Sequence, residues 1–368
     1  MSTLPKRVII SGGGTGGHIF PAIAIANAIK EQFSGTEILF VGAEGKMEME
    51  KVPAAGYKIV GLPIMGLQRR FTLQNLKFPF KLIASLVKAK KVLNDFKPDV
   101  VVGVGGYASG PLLKIALRKG IPALIQEQNS YPGITNKLLA SKVEKICVAY
   151  QGMEKFFPKE KIIITGNPVR QDIKTAKNKR ERGLEHFKLS ADKKTVLVIG
   201  GSLGARTINE AIDKGLSSFT ENKVQLIWQT GKWYADKAMQ AVENHKDVGI
   251  ITLPFIGKMD YAYAVADIVI SRAGAISVSE LCLTAKPSIL VPSPNVAEDH
   301  QTKNAMALVN SNASLLVKDV EASSELVSKA IELLQNEMKI KELSKNISSL
   351  AYSDSADIIA REVMKLIK

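Results

Sequence analysis

The stretch Val8-Ile9-Ile10-Ser11-Gly12-Gly13-Gly14-Thr15-Gly16-Gly17-His18-Ile19-Phe20-Pro21-Ala22 decides how this chain folds. An apolar run ends in a glycine-rich turn, and a helical pattern begins at once. Strand, glycine turn and helix in that order bring bare backbone N–H groups and a helix N-terminus up to an anion. The arrangement returns nearly half a chain later, at Val196-Leu197-Val198-Ile199-Gly200-Gly201-Ser202-Leu203-Gly204-Ala205-Arg206. One such turn suggests one nucleotide domain. Two suggest a duplicated architecture with a ligand in the cleft between the halves.

Outward from these turns, apolar runs alternate with helical patterns, the rhythm of βαβ units in parallel sheets. The first half offers strands at residues 8–10, 38–41, 58–60, 100–104, 123–126 and 145–148. The second offers strands at 196–199, 225–228, 249–253, 268–271, 288–291 and 314–317. Helical patterns run over 82–93, 205–216 and 327–334. Six strands per half predict an α/β protein of two Rossmann-like domains. The join falls where a short strand at 162–164 runs into Gly166-Asn167-Pro168. The expected domains are 1–165 and 166–368, with the last helix packing back on the first. The charged stretch from Lys174 to Glu181 has no apolar period and reads as exposed.

A chain of 368 residues suits two domains of this size. Fifty Lys and Arg against 35 Asp and Glu give a net charge of +15, which implies an anionic partner. Nucleic acid, acidic membrane and phosphorylated substrate all fit that sign. The basic residues are scattered over α/β units, without an Arg-rich tail or finger motif, which argues against nucleic acid. No run approaches the about 20 apolar residues of a membrane span. The first strand begins too early to leave room for a signal peptide. Cys147 and Cys282 have no metal or redox spacing and read as reduced thiols of a cytosolic protein.

Gly12 to Gly17 spells G-x-G-x-x-G, so a dinucleotide site is the first reading. Such a site wants an acid after the second strand. Glu44 is the candidate there, although Gly42 stands at the strand end. Close packing of helix on strand is the other use of these glycines. Neither turn carries the Gly-Lys-Ser/Thr of a Walker loop. His18 follows directly, on the first turn of the helix beside the anion site. In the second half, Ser271-Arg272-Ala273-Gly274-Ala275-Ile276-Ser277-Val278-Ser279-Glu280 repeats the strand–turn–helix order. A carboxylate at Glu280 can accept both hydroxyls of a ribose, or it can simply complement the helix dipole. Downstream, Glu298-Asp299-His300-Gln301-Thr302-Lys303-Asn304 is rich in groups that bond sugar hydroxyls.

Two further clusters belong to the first half. They are Gly105-Gly106-Tyr107-Ala108-Ser109-Gly110-Pro111, and Glu127-Gln128-Asn129 continuing to Asn136. Both follow strands at the end where open α/β sheets bind ligands. The segment from Gln68 to Ile83 mixes basic and bulky apolar residues, the character of a surface for anionic lipid headgroups. Alternatively, Leu82, Ile83, Leu86 and Val87 form the buried face of a sheet-packing helix.

The segments GGGTGGHIFPA, GVGGYASGP, EQNSYPGITNK, GNPVR, GGSLGA, SRAGAISVSE and DHQTKNA occur in this order over nearly the whole chain. So arranged, they resemble the MurG family, the bacterial UDP-N-acetylglucosamine transferases that convert lipid I to lipid II in peptidoglycan synthesis. The resemblance implies the GT-B fold, two Rossmann-like domains facing across a cleft, and an inverting mechanism. It also implies peripheral association with the cytoplasmic face of the membrane. The implied substrates are UDP-N-acetylglucosamine and a lipid-linked muramyl-peptide acceptor.

Carried over by residue, the resemblance gives Ser202 and its loop to the pyrophosphate, with Arg170 adding positive charge. Ile256 meets uracil, Glu280 holds the ribose, and Ala275, Ile276, Ser277, Val278 and Ser279 line the phosphate side. Gln301 reads hydroxyls of the transferred sugar. Thr15, Gly16, Gly17 and Asn129 approach the donor, while His18, Tyr107, Glu127 and Asn136 lie on the acceptor side. His18 is the first candidate for the base and Glu127 the second. The chain has no Asp-x-Asp pair, so no metal and no cofactor are expected; helix ends and Arg170 would carry the leaving-group charge. A UDP-sugar epimerase of the same architecture and a non-catalytic nucleotide-sugar sensor are the rival readings.

Overall fold

The computed structural model describes residues 5–66, 78–201, 203–243, 245 and 249–367. The chain divides into two compact units, Met1–Arg170 with Asp354–Lys368, and Gln171–Ser353. The first is built on seven parallel strands: β1 (Arg7–Ser11), β2 (Glu37–Ala43), β3 (Lys58–Leu62), β4 (Val100–Gly103), β5 (Ala123–Glu127), β6 (Lys145–Val148) and β7 (Ile162–Ile164). Their spatial order is β3-β2-β1-β4-β5-β6-β7. The second unit holds six: β8 (Thr195–Ile199), β9 (Gln225–Gln229), β10 (Ile250–Leu253), β11 (Ile268–Ser271), β12 (Ser288–Leu290) and β13 (Leu315–Leu316). These run in the order β10-β9-β8-β11-β12-β13.

Every expected strand has its counterpart, with ends moved by one or two residues. The count of six per half is corrected to seven and six. The short run before Gly166 adds a strand to the first sheet, pairing Ile162, Ile163 and Ile164 with Ile146, Cys147 and Val148. Val8, Ile9 and Ile10 of β1 and Val100, Val101 and Val102 of β4 are fully buried. A parallel sheet covered by helices on both faces demands such continuous apolar strands. In each sheet the strand order reverses beside the first strand, at β1/β4 and at β8/β11. Both glycine turns therefore leave their sheets at the switch point where α/β folds bind ligands.

The last helix, Ser355–Lys365, belongs to the first unit for a reason visible in its spacing. Ala356, Ile359, Ala360, Val363 and Met364 form one apolar stripe, packed in the same core as Ile25 and Ile29 of α1 (Gly16–Gln32). Each fully buried Ile or Val there contributes roughly 1.5–3 kcal/mol. Gln32 adds a hydrogen bond from its amide to Asp357 at 3.0 Å.

The stretch from Lys174 to Glu181 is not simply exposed. Ala176 is buried, Lys179 pairs with Asp260 at 2.7 Å, and Arg180 donates to the carbonyl of Val265 at 2.9 Å. Lys179 and Arg180 are bound to the Met259–Val265 helix, while Lys177 and Glu181 are exposed, so polarity alone misled the reading for part of the stretch. Both cysteines are buried thiols. Burial pushes the Cys282 thiol up to about 12 and raises that of Cys147 further, with the Glu362 carboxylate adding to the effect.

Candidate active site

In the first unit the expected residues gather at the carboxyl ends of β1, β4 and β5, which are neighbours in the sheet. After β1 the chain turns through Gly12 to Thr15 and enters α1, with His18 as its third residue. The turn after β4 packs against this one backbone to backbone. A Cβ on Gly106 would stand 2.3 Å from the carbonyl oxygen of Gly13, and Gly106 has φ +85°. Only glycine fits on both counts.

His18 is half-buried, with Nδ1 3.1 Å from the Gly13 carbonyl oxygen and 3.3 Å from Thr15 Oγ1. A carbonyl can only accept, so in the neutral ring Nδ1 carries the proton and Nε2 is the basic nitrogen. Nε2 lies 2.9 Å from where a Cβ on Gly105 would stand, so the turn after β4 makes room for the ring.

The Gly14 N–H is not offered to a ligand. It donates to Oε2 of Glu48 at 2.9 Å, while the Ala43 N–H donates to Oε1 at 2.9 Å. Glu48 opens α2 (Glu48–Ala54) and is only 1% exposed. The sequence reading missed it, because Glu44, Glu48 and Glu50 look alike as acids around a helix start. The dinucleotide reading of Glu44 is corrected: it pairs with Lys88 Nζ at 2.7 Å, both side chains substantially exposed.

Glu127, at the end of β5, is 2% exposed and organises the loop that follows. Its Oε1 accepts from the Asn129 N–H at 3.0 Å and from Asn129 Nδ2 at 3.3 Å. Its Oε2 accepts from the Gly133 N–H at 3.1 Å and from Asn136 Nδ2 at 2.8 Å. A second buried network explains the Gly-Asn-Pro motif. Gln126 donates to Asn167 at 3.1 Å, Asn167 donates to the Gln128 carbonyl at 3.0 Å, and Gln128 donates to the Val104 carbonyl at 2.8 Å. These amides hold the ends of β4 and β5 to the turn after β7, and periodicity gave no sign of them.

Tyr107 is 53% exposed, its ring packed on Gly66. It also lines a cavity of about 740 Å³ between α3 (Phe78–Phe96), α4 (Ser109–Arg118) and α5 (Ile134–Leu139). Leu82, Leu86, Leu117 and Leu138 supply its apolar wall. The buried face of α3 is Ser85, Ala89, Val92 and Leu93, whereas Phe80, Ile83 and Val87 are exposed. Of the basic and apolar segment, residues 68–77, with Arg69, Arg70, Leu73, Leu76 and Lys77, lie outside the described residues.

In the second unit Ser202 lies outside the described residues, but the turn around it is defined. A Cβ on Gly204, where φ is +80°, would stand 2.3 Å from the Thr230 carbonyl oxygen. Gln229 ties this turn to the next loop. Its amide donates to the Gly201 carbonyl at 2.9 Å, and its Oε1 accepts from the Ile256 N–H at 3.3 Å. Ile256 is thereby buried beside an exposed Phe255.

After β11, Gly274 caps the Ala275–Thr284 helix with an extended backbone. Ala275 and Val278 are buried, Ile276, Ser277 and Ser279 half-buried, and the Ser279 hydroxyl donates to the Ala275 carbonyl at 3.0 Å. Glu280 is 7% exposed, and its Oε2 accepts from the hydroxyl of the fully buried Tyr263 at 3.1 Å. Arg272 is a brace: it donates to the carbonyls of Val291 and Pro292 at 3.0 and 3.2 Å and pairs with Asp319. Gln301 is the second residue of the His300–Val309 helix, its Oε1 accepting from the Ser293 N–H at 2.9 Å. Glu298 and Asp299 before it are both left-handed, with φ 55° and 51°, a strained entry for non-glycine residues. Arg170 ends the first chain segment of the first unit, with its guanidinium carbon 5.7 Å from the centre of the Phe20 ring. No group of three or more His, Cys, Asp or Glu suited to a metal occurs among the described residues.

Comparison with known proteins matches residues 8–148 to the glycosyltransferase family 28 N-terminal domain and residues 195–361 to the family 28 C-terminal domain. A protein of Parabacteroides distasonis is 58% identical over 361 residues, covering 98% of each chain. It is named UDP-N-acetylglucosamine–N-acetylmuramyl-(pentapeptide) pyrophosphoryl-undecaprenol N-acetylglucosamine transferase. The crystal structure of Acinetobacter baumannii MurG is similar at 27% identity and TM-score 0.77, over 98% of this chain and 100% of that one. The UDP-GlcNAc 2-epimerase from Neisseria meningitidis bound to UDP-GlcNAc shares the fold at 15% identity and TM-score 0.70, over 98% of this chain and 100% of that one.

Proposed function

The chain belongs to glycosyltransferase family 28, and from that premise we propose that it transfers N-acetylglucosamine from UDP-N-acetylglucosamine to a lipid-linked acceptor. The acceptor group is the 4-hydroxyl of the muramyl sugar in undecaprenyl-pyrophosphoryl-MurNAc-pentapeptide. One observation carries this reading: 58% identity, over 98% of both chains, to a protein named for that transfer.

The acceptor hydroxyl forms a bond to the anomeric carbon of the donor, the bond from that carbon to UDP breaks, and the configuration inverts. His18 takes the hydroxyl proton on Nε2. The Nδ1–H contact to the Gly13 carbonyl supports that role, since it sets the tautomer with Nε2 basic. Glu127 accepts four hydrogen bonds, three from the loop after β5 and one from Asn136 of α5, which supports a positioning role, with Asn129 and Asn136, rather than that of the base. Tyr107 stands with them on the acceptor side, and Thr15, Gly16 and Gly17 approach the donor.

In the second unit, loop N–H groups around Ser202 and the N-terminus of the Ala275–Thr284 helix stabilise the departing pyrophosphate, with Arg170 adding charge. Glu280 holds the ribose and Ile256 the base. Gln301, its carbonyl fixed by Ser293, turns its amide to the sugar hydroxyls.

The enzyme reaches its acceptor by resting on the anionic cytoplasmic leaflet. No helix among the described residues is long and apolar enough to cross a membrane. Phe80, Ile83 and Val87 of α3, and Ile134 and Leu138 of α5, are apolar and exposed. Exposed Lys81, Lys114, Arg118 and Lys142 accompany them. Apolar tips among cations suit a headgroup surface.

Transfer of radiolabel from UDP-N-acetylglucosamine into the lipid fraction, dependent on the muramyl-peptide acceptor, tests the reading. Label that stays on the nucleotide sugar while the sugar is epimerised would replace it with the epimerase reading.

A further inference from the structure

We propose that Glu48 is an internal stand-in for a phosphate in the first glycine turn, and that it is the positioning residue for the His18 imidazole. The inference rests on His18 being the base, as argued above. In a nucleotide-binding turn the N–H groups face a ligand anion. Here the Glu48 carboxylate occupies that place from inside the fold, taking the Gly14 N–H on one oxygen and the Ala43 N–H on the other. The fit is tight. A Cβ on Gly13 would stand 2.1 Å from Glu48 Oε1, and a Cβ on Gly42 would stand 2.5 Å from Glu48 Cγ. Glycine at both positions is what admits the side chain.

Two consequences follow from this placement. The Gly14 N–H is closed to any nucleotide phosphate, so the literal G-x-G-x-x-G of this chain does not make a dinucleotide site. The peptide between Gly13 and Gly14 is also clamped, and its carbonyl is the group that holds His18 Nδ1 at 3.1 Å. Glu48 thus reaches the base through one peptide unit: carboxylate to Gly14 N–H, then Gly13 carbonyl to imidazole. Replacing the carboxylate by an amide sets an NH2 donor against one of the two N–H donors, and the clamp loses a bond.

The test compares Glu48→Gln, His18→Ala and the double variant, with turnover, the donor KM and the imidazole 15N spectrum as readouts. The chain has four histidines, and His18→Ala identifies the His18 resonances. Glu48→Gln should lower kcat roughly 10- to 100-fold, the scale of a misplaced reacting group, and leave the donor KM within about threefold. The His18 spectrum should change from the Nδ1–H tautomer to a mixture. His18→Ala alone should lower kcat roughly 100- to 10,000-fold. Adding Glu48→Gln to it should bring no further loss, because the two act in series.

Losses that multiply in the double variant, or an unchanged His18 spectrum in Glu48→Gln, would overturn the proposal. If His18→Ala keeps its turnover, the base assignment fails instead, and the spectrum alone then decides the role of Glu48. Should Glu48→Gln not fold, Glu48→Asp, which withdraws the charge by one methylene, is read in the same way.

Discussion

The Tyr263 hydroxyl donates to Oε2 of Glu280 at 3.1 Å, with Tyr263 fully buried and Glu280 7% exposed. The bond joins the Met259–Val265 helix to the Ala275–Thr284 helix and sets the plane of the carboxylate. A carboxylate held in one orientation can accept two neighbouring hydroxyls at little further entropic loss.

Glu280→Ala should therefore weaken UDP binding by about 1.5–3 kcal/mol, roughly 10- to 150-fold, through loss of charge-assisted hydrogen bonds. Tyr263→Phe should weaken it by less, since the acceptor stays and only its orientation is freed. Titration calorimetry with UDP checks both. Equal affinities in wild type and Glu280→Ala would remove Glu280 from the ribose.

Much of this unit was legible beforehand, and the reason is physical. Buried parallel strands such as Val196–Leu197–Val198–Ile199 must be continuously apolar, and turns such as Gly204 admit no side chain. Those constraints are written into residue type. Tyr263, Gln229 and Glu48 were not legible, because their roles depend on partners 17, 27 or 28 and 34 or 5 positions away. Nothing local separates a tyrosine that aims a carboxylate from one that fills a core. The same holds for Lys179 and Arg180, whose charges are bound by a helix some 80 residues on.

Lys286 supplies a pH signature of the second unit. Its ammonium donates to the Ala266 carbonyl at 2.6 Å. Burial, aided by Arg180 and Lys177 and opposed by Asp267, draws its pKa down to about 8. A lysine with a folded pKa below its unfolded value binds fewer protons in the native state over the interval between them. Stability contributed at this site therefore rises from about pH 8 to about pH 10.4, by at most about 3 kcal/mol. Denaturant unfolding of wild type and Lys286→Met should show wild type gaining on the variant across that window. Parallel stability curves would contradict the assignment.

The exposed face of α3 makes a second test. Replacing Phe80, Ile83 and Val87 together by Ser should reduce co-sedimentation with anionic vesicles several-fold at unchanged thermal stability, because none of the three is buried. Changing Lys114, Arg118 and Lys142 to Glu should remove the salt-sensitive part of the binding. Sedimentation equal to wild type in both variants would place the membrane contact on another surface.

Release of UDP from UDP-N-acetylglucosamine, followed with and without lipid-linked pyrophosphoryl-muramyl-pentapeptide, tests the assigned reaction most directly. The account predicts stoichiometric UDP release that requires the acceptor, falls with His18→Ala and weakens with Glu280→Ala. Turnover of the nucleotide sugar at the same rate without acceptor, or binding without UDP release when acceptor is present, would contradict it.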